Sequence, residues 1–190
     1  FMNNFDNEKI NKLENRIKNT DNENLIKYFF LGTMNELFTF QDGFIHHKTK
    51  TTNFYSIQLQ LKNKKNIYES LDTFTEARFM NGDNGIFCPK CNKIFPCIKS
   101  QTFNKLPRIL IFAPKIFDIN KNTKKKIKIN DCYQFPLNLC MNKYIKNNDN
   151  NEYKLKSIIC RIGPYESNNY CVYNKDSKSN FWYLIIDTLV

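Results

Sequence analysis

Features of secreted and membrane proteins are scarce in this sequence. No N-terminal segment combines a basic start, an apolar run and a small-residue cleavage site, and no apolar stretch approaches the roughly 20 residues that span a bilayer. The seven cysteines are an odd number, so they cannot all pair within the chain. We therefore expect thiols rather than disulfides, a cytoplasmic or nuclear location, and no membrane partner.

Acidic residues are in the minority. The 18 Asp and Glu stand against 29 Lys and Arg, which gives a formal net charge of +11. Such a balance attracts nucleic acid or acidic partners. Many of the lysines lie in Asn-rich stretches such as 146–151, however, so a solvated basic surface is the simpler interpretation.

Apolar residues are frequent enough to build a core. The sequence is 41% hydrophobic and contains 17 Phe, which excludes a disordered chain for most of its length. A length of 190 residues fits one modest domain or a large piece of a bigger one.

Hydrophobic periodicity predicts several helices and many strands. Ile10, Leu13 and Ile17 share one face of a predicted helix over 3–19. Further helices are predicted over 24–30 and 67–75, and strands over 37–40, 44–45, 54–61, 106–112, 153–162, 170–173 and 181–186. The Lys-rich stretch 120–128 has the pattern of a hairpin. This mixture predicts an α+β fold with a largely antiparallel sheet.

An ordered series of short motifs resembles a known family. The motifs are IYESL at 67–71, GDN at 82–84, CPKC at 88–91, LPRIL at 106–110, FP at 135–136, YKL at 153–155, RIG at 161–163 and WY at 182–183. Their order and spacing resemble the ubiquitin-specific protease family (peptidase C19) over nearly everything after residue 25. Within that family, stretches 54–70 and 127–136 look closest to the herpesvirus-associated ubiquitin-specific protease.

The resemblance implies the papain-like hand fold of a deubiquitinase, with fingers, palm and thumb. Residues 21–190 correspond to the C-terminal part of that domain, with fingers at about 33–105 and palm at about 106–190. Residues 1–20 are an N-terminal helix or a connection. The thumb, which carries the nucleophilic Cys in the family, precedes this region.

The catalytic residues that the resemblance implies are incomplete. A cysteine protease needs a thiolate, an imidazole that takes its proton, and a group that orients the imidazole. No Asn-containing Cys box exists in residues 1–190. The stretch 163–170 matches the family's His region without a gap, and there Asn169 occupies the His position, whereas Asp187 matches the third triad position. An amide is no general base near neutral pH, so the resemblance implies an inactive site.

The resemblance also implies residues that bind ubiquitin and a pair of cysteines that could bind a metal. Tyr165, Glu166 and Tyr170 match the channel that receives the ubiquitin tail. Cys88 and Cys91 have the spacing of a zinc knuckle. The partner pair of many family members falls near Phe40 and Gly43, which are not ligands; His46, His47 and Cys97 are the other candidates. We expect free thiols and no cofactor, with zinc as the open alternative.

Three functions from different classes follow. The first is a ubiquitin-binding pseudo-protease, whose partner is ubiquitin or a ubiquitinated protein. The second is part of an active thiol-dependent deubiquitinase whose Cys box lies upstream and whose base is a substitute. The third is a spliceosome-type or nucleic-acid-associated scaffold, in which lysines of 121–128 contact phosphates.

Overall fold

The computed structural model describes residues 25–41, 45–88, 92–119, 123–129, 131–146, 150–163 and 169–186. The helices are α1 (Leu25–Phe30) and α2 (Ile67–Thr75), with 3₁₀ turns at Gly82–Asn84 and Asn142–Tyr144. The strands are β1 (Gly32–Gln41), β2 (Ile45–Phe54), β3 (Ile57–Gln60), β4 (Arg78–Met80), β5 (Ile86–Cys88), β6 (Lys93–Phe95), β7 (Cys97–Lys105), β8 (Phe112–Lys115), β9 (Phe117–Ile119), β10 (Lys126–Lys128), β11 (Asn138–Cys140), β12 (Glu152–Lys154), β13 (Ser157–Ile162), β14 (Asn169–Lys175) and β15 (Trp182–Ile186). The predicted helix over 3–19 lies outside the described residues.

Helix α2 confirms the prediction over 67–75, and its first turn shows why the helix begins there. The side-chain oxygen of Asn66 accepts a hydrogen bond from Glu69 N at 3.0 Å, and the Glu69 carboxylate accepts one from Lys65 N at 2.9 Å. The first bond satisfies an N–H group that the helix leaves without an internal partner, and the second ties the preceding chain to the first turn. The buried face carries Ile67, Ser70 and Leu71.

The chain divides into two units. The first contains the described residues up to Ile57, Thr75–Ala113 and Tyr144–Asn148. Its centre is a four-stranded sheet in the order β2-β1-β7-β4, with antiparallel pairing throughout. Alternate residues of β1 face a core, in which Phe38 and Phe40 pack with Cys88 and Cys97.

Glu36, on the core face of β1, is almost fully buried but paired. Its carboxylate contacts Lys99 Nζ at 2.5 Å and accepts a hydrogen bond from Gln101 Nε2 at 3.1 Å. A buried carboxylate needs such partners because burial removes its hydration. Lys99 also lies over the Phe38 ring, 5.7 Å from its centroid.

The second unit contains Gln58–Phe74, Pro114–Lys143 and the described residues after Asp149. It holds a three-stranded antiparallel sheet, β13-β14-β15, and two antiparallel pairs, β9 with β10 and β11 with β12. The buried side chains of this unit include Leu59, Leu61, Ile67, Leu71, Leu139 and Met141. The α+β fold with largely antiparallel pairing is therefore confirmed. The hairpin predicted over 120–128 begins earlier, because its first strand, β9, is Phe117–Ile119 and only β10 lies within the predicted range.

Two predicted strands were wrong in extent. The stretch 54–61 is divided at Tyr55–Ser56, where β2 ends and β3 begins, and Tyr55 is exposed although it shares the apolar alternation. The stretch 153–162 is divided into β12 and β13, which pair with different strands. In both places a short irregular segment redirects the chain without interrupting the hydrophobic pattern.

The predicted buried strand over 106–112 was also wrong. The chain is irregular from Leu106 to Ile111, and regular strand begins at Phe112. Pro107 has no N–H to donate to a ladder. The remaining hydrogen bonds go to separate partners, because Ile109 N donates to Phe29 O at 2.8 Å and Ile111 O accepts from Ile57 N at 2.9 Å.

Among the described residues, no helix is long and apolar enough to cross a membrane. The finger and palm boundaries stay a prediction.

Candidate functional site in the β13-β14-β15 sheet

The position predicted for the His, Asn169, lies in a three-stranded sheet, and Asp187 follows the last strand of that sheet in the sequence. β14 is its central strand, and it begins at Asn169, which pairs with Ile162 at the end of β13. On its other side, Cys171 pairs with Ile186 at the end of β15. The first residues of the central strand therefore lie between the last residues of its two neighbours, at one end of the three strands.

Asn169 and Tyr170 point to opposite faces of this sheet, because side chains alternate along a strand. Both are exposed, Tyr170 to 50%. Tyr170 lies opposite Arg161 of β13. The residue that the sequence places in the His position is thus a solvent-accessible amide at a strand start.

Three further predicted residues lie outside the described part of the chain. They are Tyr165 and Glu166, between β13 and β14, and Asp187, directly after β15. Their described neighbours are held in place. The carbonyl oxygen of Gly163 accepts a hydrogen bond from Lys128 Nζ at 3.2 Å, and Ile186 is fixed in the ladder opposite Cys171. The Arg161 guanidinium lies 4.9 Å from the centroid of the Phe117 ring.

The far end of the sheet is closed by a turn around Asp176. Its carboxylate accepts hydrogen bonds from Ser179 N at 2.8 Å and Ser179 Oγ at 2.6 Å, and Asp176 N donates to Phe181 O at 2.9 Å. Hydrogen bonds from Ser179, first its hydroxyl and then its backbone N–H, favour the ionised carboxyl and lower the pKa of Asp176 to about 2. This turn connects β14 to β15 and helps to set their register.

Two cysteines that the sequence analysis did not single out face each other in the sheet. Cys160 of β13 lies directly opposite Cys171 of β14. Both are free thiols; Cys171 is buried and Cys160 is partly buried. Burial raises the pKa of the Cys160 thiol, and the neighbouring Cys171 raises it further by its charge and by a hydrogen bond. Only the strand register, which the sequence does not reveal, brings them together.

The predicted metal residues lie in the first unit. Cys88 is fully buried in the apolar cluster with Cys97, and burial raises the pKa of the Cys97 thiol, with a smaller opposing effect from Lys99. Cys91 and the His46 side chain are outside the described part, and His47 Nδ1 lies 3.1 Å from Thr39 Oγ1. Within the described ranges, no three His, Cys, Asp or Glu residues group as metal ligands. Because Cys91 lies outside the described part of the chain, the zinc pair stays a prediction.

Strand β15 carries a run of apolar side chains at the surface. All five residues from Trp182 to Ile186 are exposed. Their side chains alternate between both faces of the sheet, so each face presents apolar area to solvent around the matched catalytic positions.

Solved structures of other proteins share this fold. The structure of the SAGA Ubp8/Sgf11/Sus1/Sgf73 DUB module bound to ubiquitin aldehyde contains a chain that is 25% identical, with a TM-score of 0.77 over 96% of this chain and 44% of that chain. A second structure of a Ubp8/Sgf11/Sus1/Sgf73 module gives 27% identity and a TM-score of 0.74, over 94% of this chain and 40% of the other. The fold is that of the ubiquitin-specific proteases.

Sequence relatives agree with the fold. Ubiquitin carboxyl-terminal hydrolase 34 of Homo sapiens is 30% identical over 210 residues, which cover 96% of this chain and 6% of that protein. Ubiquitin carboxyl-terminal hydrolase puf of Drosophila melanogaster is 33% identical over 138 residues, covering 72% of this chain and 3% of that protein. The profile of the ubiquitin carboxyl-terminal hydrolases matches residues 2–190. The chain belongs to the ubiquitin carboxyl-terminal hydrolase family, and it spans a small fraction of the length of these relatives.

Proposed function

We propose that this chain is a ubiquitin-binding pseudo-protease module, which binds ubiquitin or ubiquitinated proteins without cleaving them. The observation that carries the proposal is the amide of Asn169 at the start of β14, in the stretch 163–170 that resembles the family's His region. The ladder supports the assignment, because it places β14 beside the end of β15, whose next residue is Asp187, the match to the third triad position.

The chemistry of an amide explains the expected inactivity. A general base must accept a proton from the nucleophilic thiol, and its pKa must lie near the working pH. The side chain of Asn169 has no basic nitrogen near neutral pH. Asp187 would then have no imidazole to orient. Losing the base removes proton transfer while leaving the surrounding binding surface intact, which is what a pseudo-protease requires.

Ubiquitin binding is supported by the fold and by an exposed aromatic residue. One structural neighbour is bound to ubiquitin aldehyde. In this chain, Tyr170 is half exposed beside the matched site, and tyrosines in such positions contribute strongly to protein interfaces. Tyr165 and Glu166, in the adjoining segment, complete the proposed channel for the ubiquitin tail.

A matched pair of tyrosine variants tests the binding site. Tyr170 and Tyr173 belong to the same strand and are 50% and 39% exposed, but they project from opposite faces. We expect Tyr170→Ala to weaken the affinity for labelled ubiquitin about tenfold, or roughly 1.4 kcal/mol, and Tyr173→Ala to change it little. Titration by fluorescence anisotropy at physiological salt measures both. An equal loss of affinity in the two variants would mean that ubiquitin does not bind specifically to the face that carries Tyr170.

Cleavage of a ubiquitin-fluorophore conjugate tests the inactivity. We expect no turnover by this chain, and none by the longest natural chain that contains it. Asn169→His in that longer chain supplies the missing base. Turnover by the unaltered protein would instead establish the active deubiquitinase with an upstream Cys box and another base.

The nucleic-acid scaffold is the second candidate because of one local feature. Lys124, Lys125 and Lys126 are exposed on the β9–β10 hairpin. Counterion release makes phosphate binding fall steeply with salt. RNA binding with a steep salt slope that Lys125→Ala and Lys126→Ala each reduce by about one would favour this function over ubiquitin binding. A cytoplasmic or nuclear location and a special resemblance to the herpesvirus-associated member stay predictions.

A further inference from the structure

Cys160 and Cys171 form the one described thiol pair that strand register holds face to face. They are directly opposite each other in the β13–β14 ladder. Opposite residues project to the same side of an antiparallel sheet, so the two side chains are neighbours on one face.

The type of pairing sets the distance between the two backbones. Lys175 N donates to Lys156 O at 2.8 Å, one pair before the Ser157–Asn174 pair that starts the ladder. Hydrogen-bonded and non-hydrogen-bonded pairs alternate in antiparallel strands. The Cys160–Cys171 pair is four pairs further on and is therefore also hydrogen-bonded, with a typical Cα separation of about 5.5 Å. Disulfides occur at Cα separations of about 4.4–6.8 Å.

We propose that Cys160 and Cys171 are a reversible disulfide site, oxidised by a peroxide. The Cys160 thiolate attacks one peroxide oxygen and becomes a sulfenic acid, releasing water after proton transfer. The Cys171 thiolate then attacks the sulfenic sulfur, the S–O bond breaks, and a second water leaves. The balance is two thiols and one hydrogen peroxide giving one disulfide and two waters.

The surroundings of the pair explain which sulfur reacts first and why the bond is reversible. Cys160 is partly exposed whereas Cys171 is 6% exposed, so the peroxide reaches Cys160 and Cys171 acts as the resolving thiol. Opposite Cβ atoms at a hydrogen-bonded pair are about 5.5 Å apart, and a disulfide needs about 3.5–4.5 Å. Closing this gap strains the hairpin, which makes the bond easier to reduce.

The site is also chemically distinct from the exposed thiols. Burial and the neighbouring Cys171 raise the pKa of Cys160, so its thiolate is rare at neutral pH and the oxidation accelerates as the pH rises. Cys132 and Cys140 are exposed and have no cysteine opposite them in a described ladder, so peroxide takes them to sulfenic acid or to links between molecules. The proposal goes beyond ubiquitin binding and does not depend on it.

Peptide mapping tests the proposal directly. Tryptic cleavage after Lys156, Arg161 and Lys175 places Cys160 in peptide 157–161 and Cys171 in peptide 162–175, each with a single cysteine. The whole chain is treated with hydrogen peroxide, alkylated and digested without reductant. We expect these two peptides to appear joined, with two hydrogen atoms lost, and to separate after dithiothreitol treatment. The yield at a fixed time should increase with pH.

Matched variants separate this link from general oxidation. Cys160→Ser and Cys171→Ser should abolish the joined peptides, whereas Cys140→Ser, which removes an exposed thiol of the same unit, should leave their yield unchanged. Alkylation kinetics of the unaltered protein provide a readout that no variant can disturb by misfolding, since both thiols should lose reactivity together on oxidation. Overoxidised or alkylated Cys160 and Cys171 without the joined peptides would overturn the proposal.

Discussion

Replacing Ser70 with alanine tests the polar contacts that join α2 to its neighbours in the second unit. Ser70 is 1% exposed, and its hydroxyl donates to Gln60 O at 2.7 Å. The Tyr133 hydroxyl donates to Ser70 Oγ at 2.9 Å. Ser70 therefore both donates and accepts, and its removal breaks two hydrogen bonds in a place with little access for water.

The expected loss follows from those two bonds. Each typical hydrogen bond contributes about 0.5–1.5 kcal/mol net, and a buried group left without its partner costs about 1–3 kcal/mol. We expect Ser70→Ala to lower the free energy of unfolding by about 2–3 kcal/mol. Tyr133→Phe removes only the outer bond and leaves Ser70 donating to Gln60, so it should cost about 1 kcal/mol.

Urea unfolding measures these losses of stability in the second structural unit. The single tryptophan, Trp182, lies in β15 and reports on the same unit. The exposed residue Ser157 offers a matched control, because Ser157→Ala should change stability by less than about 0.5 kcal/mol. In the double variant, Ser70→Ala should cost about 1 kcal/mol less than it does alone, since the Tyr133 bond is already absent. Additive effects, or a Ser70→Ala loss no larger than that of the control, would refute the reasoning.

Substitutions in the core and in the Asp176 turn should also change the stability of the protein in predictable directions. Phe40 is fully buried whereas Phe79 is 66% exposed. Phe40→Ala should lower the free energy of unfolding by about 3–5 kcal/mol in denaturant unfolding, and Phe79→Ala by about 0.5 kcal/mol or less. Similar losses in the two variants would contradict the described core. The folded-state pKa of Asp176 is lowered to about 2, so its stabilising effect is present above its unfolded pKa of about 3.9 and is lost as the pH falls toward 2. The urea midpoint of Asp176→Asn should therefore fall less than that of the unaltered protein between pH values of about 5 and 2, and parallel curves would argue against the turn.

Regular elements with local signals were predictable from the sequence. Helix α2 combines an apolar face with Asn66 and Glu69 at its start, and its bounds were predicted as the structure has them. The errors fell where local pattern and tertiary contact disagree. The alternation through 54–61 continues across the break at Tyr55, and the apolar run 106–112 forms separate hydrogen bonds instead of a ladder. Periodicity describes which residues are apolar, but it does not describe where a strand changes partners.

The contacts of the candidate site were not predictable from the sequence, and the catalytic match of Asn169 stays a prediction. Matching the stretch 163–170 to the family identified Asn169, and the structure adds that it begins the central strand of a sheet. The Cys160–Cys171 pair had no sequence signal, because the ten residues between the two cysteines do not determine which positions of β13 and β14 face each other. A change of register by a single residue would put these thiols opposite other side chains.

Asn169 supports the pseudo-protease proposal better than the missing nucleophile does. The resemblance predicts the nucleophile in a segment before this one, whereas the position it predicts for the base, Asn169, belongs to a described strand. A Cys supplied from elsewhere would still meet an amide at β14, and the thiol would keep its proton at neutral pH unless another group removed it. Asn169→His therefore restores an imidazole at the position that the resemblance predicts for the base. If a longer natural chain gained turnover from that single substitution, the absence of a base alone would account for inactivity, and the ubiquitin-binding surface must already be competent for the reaction.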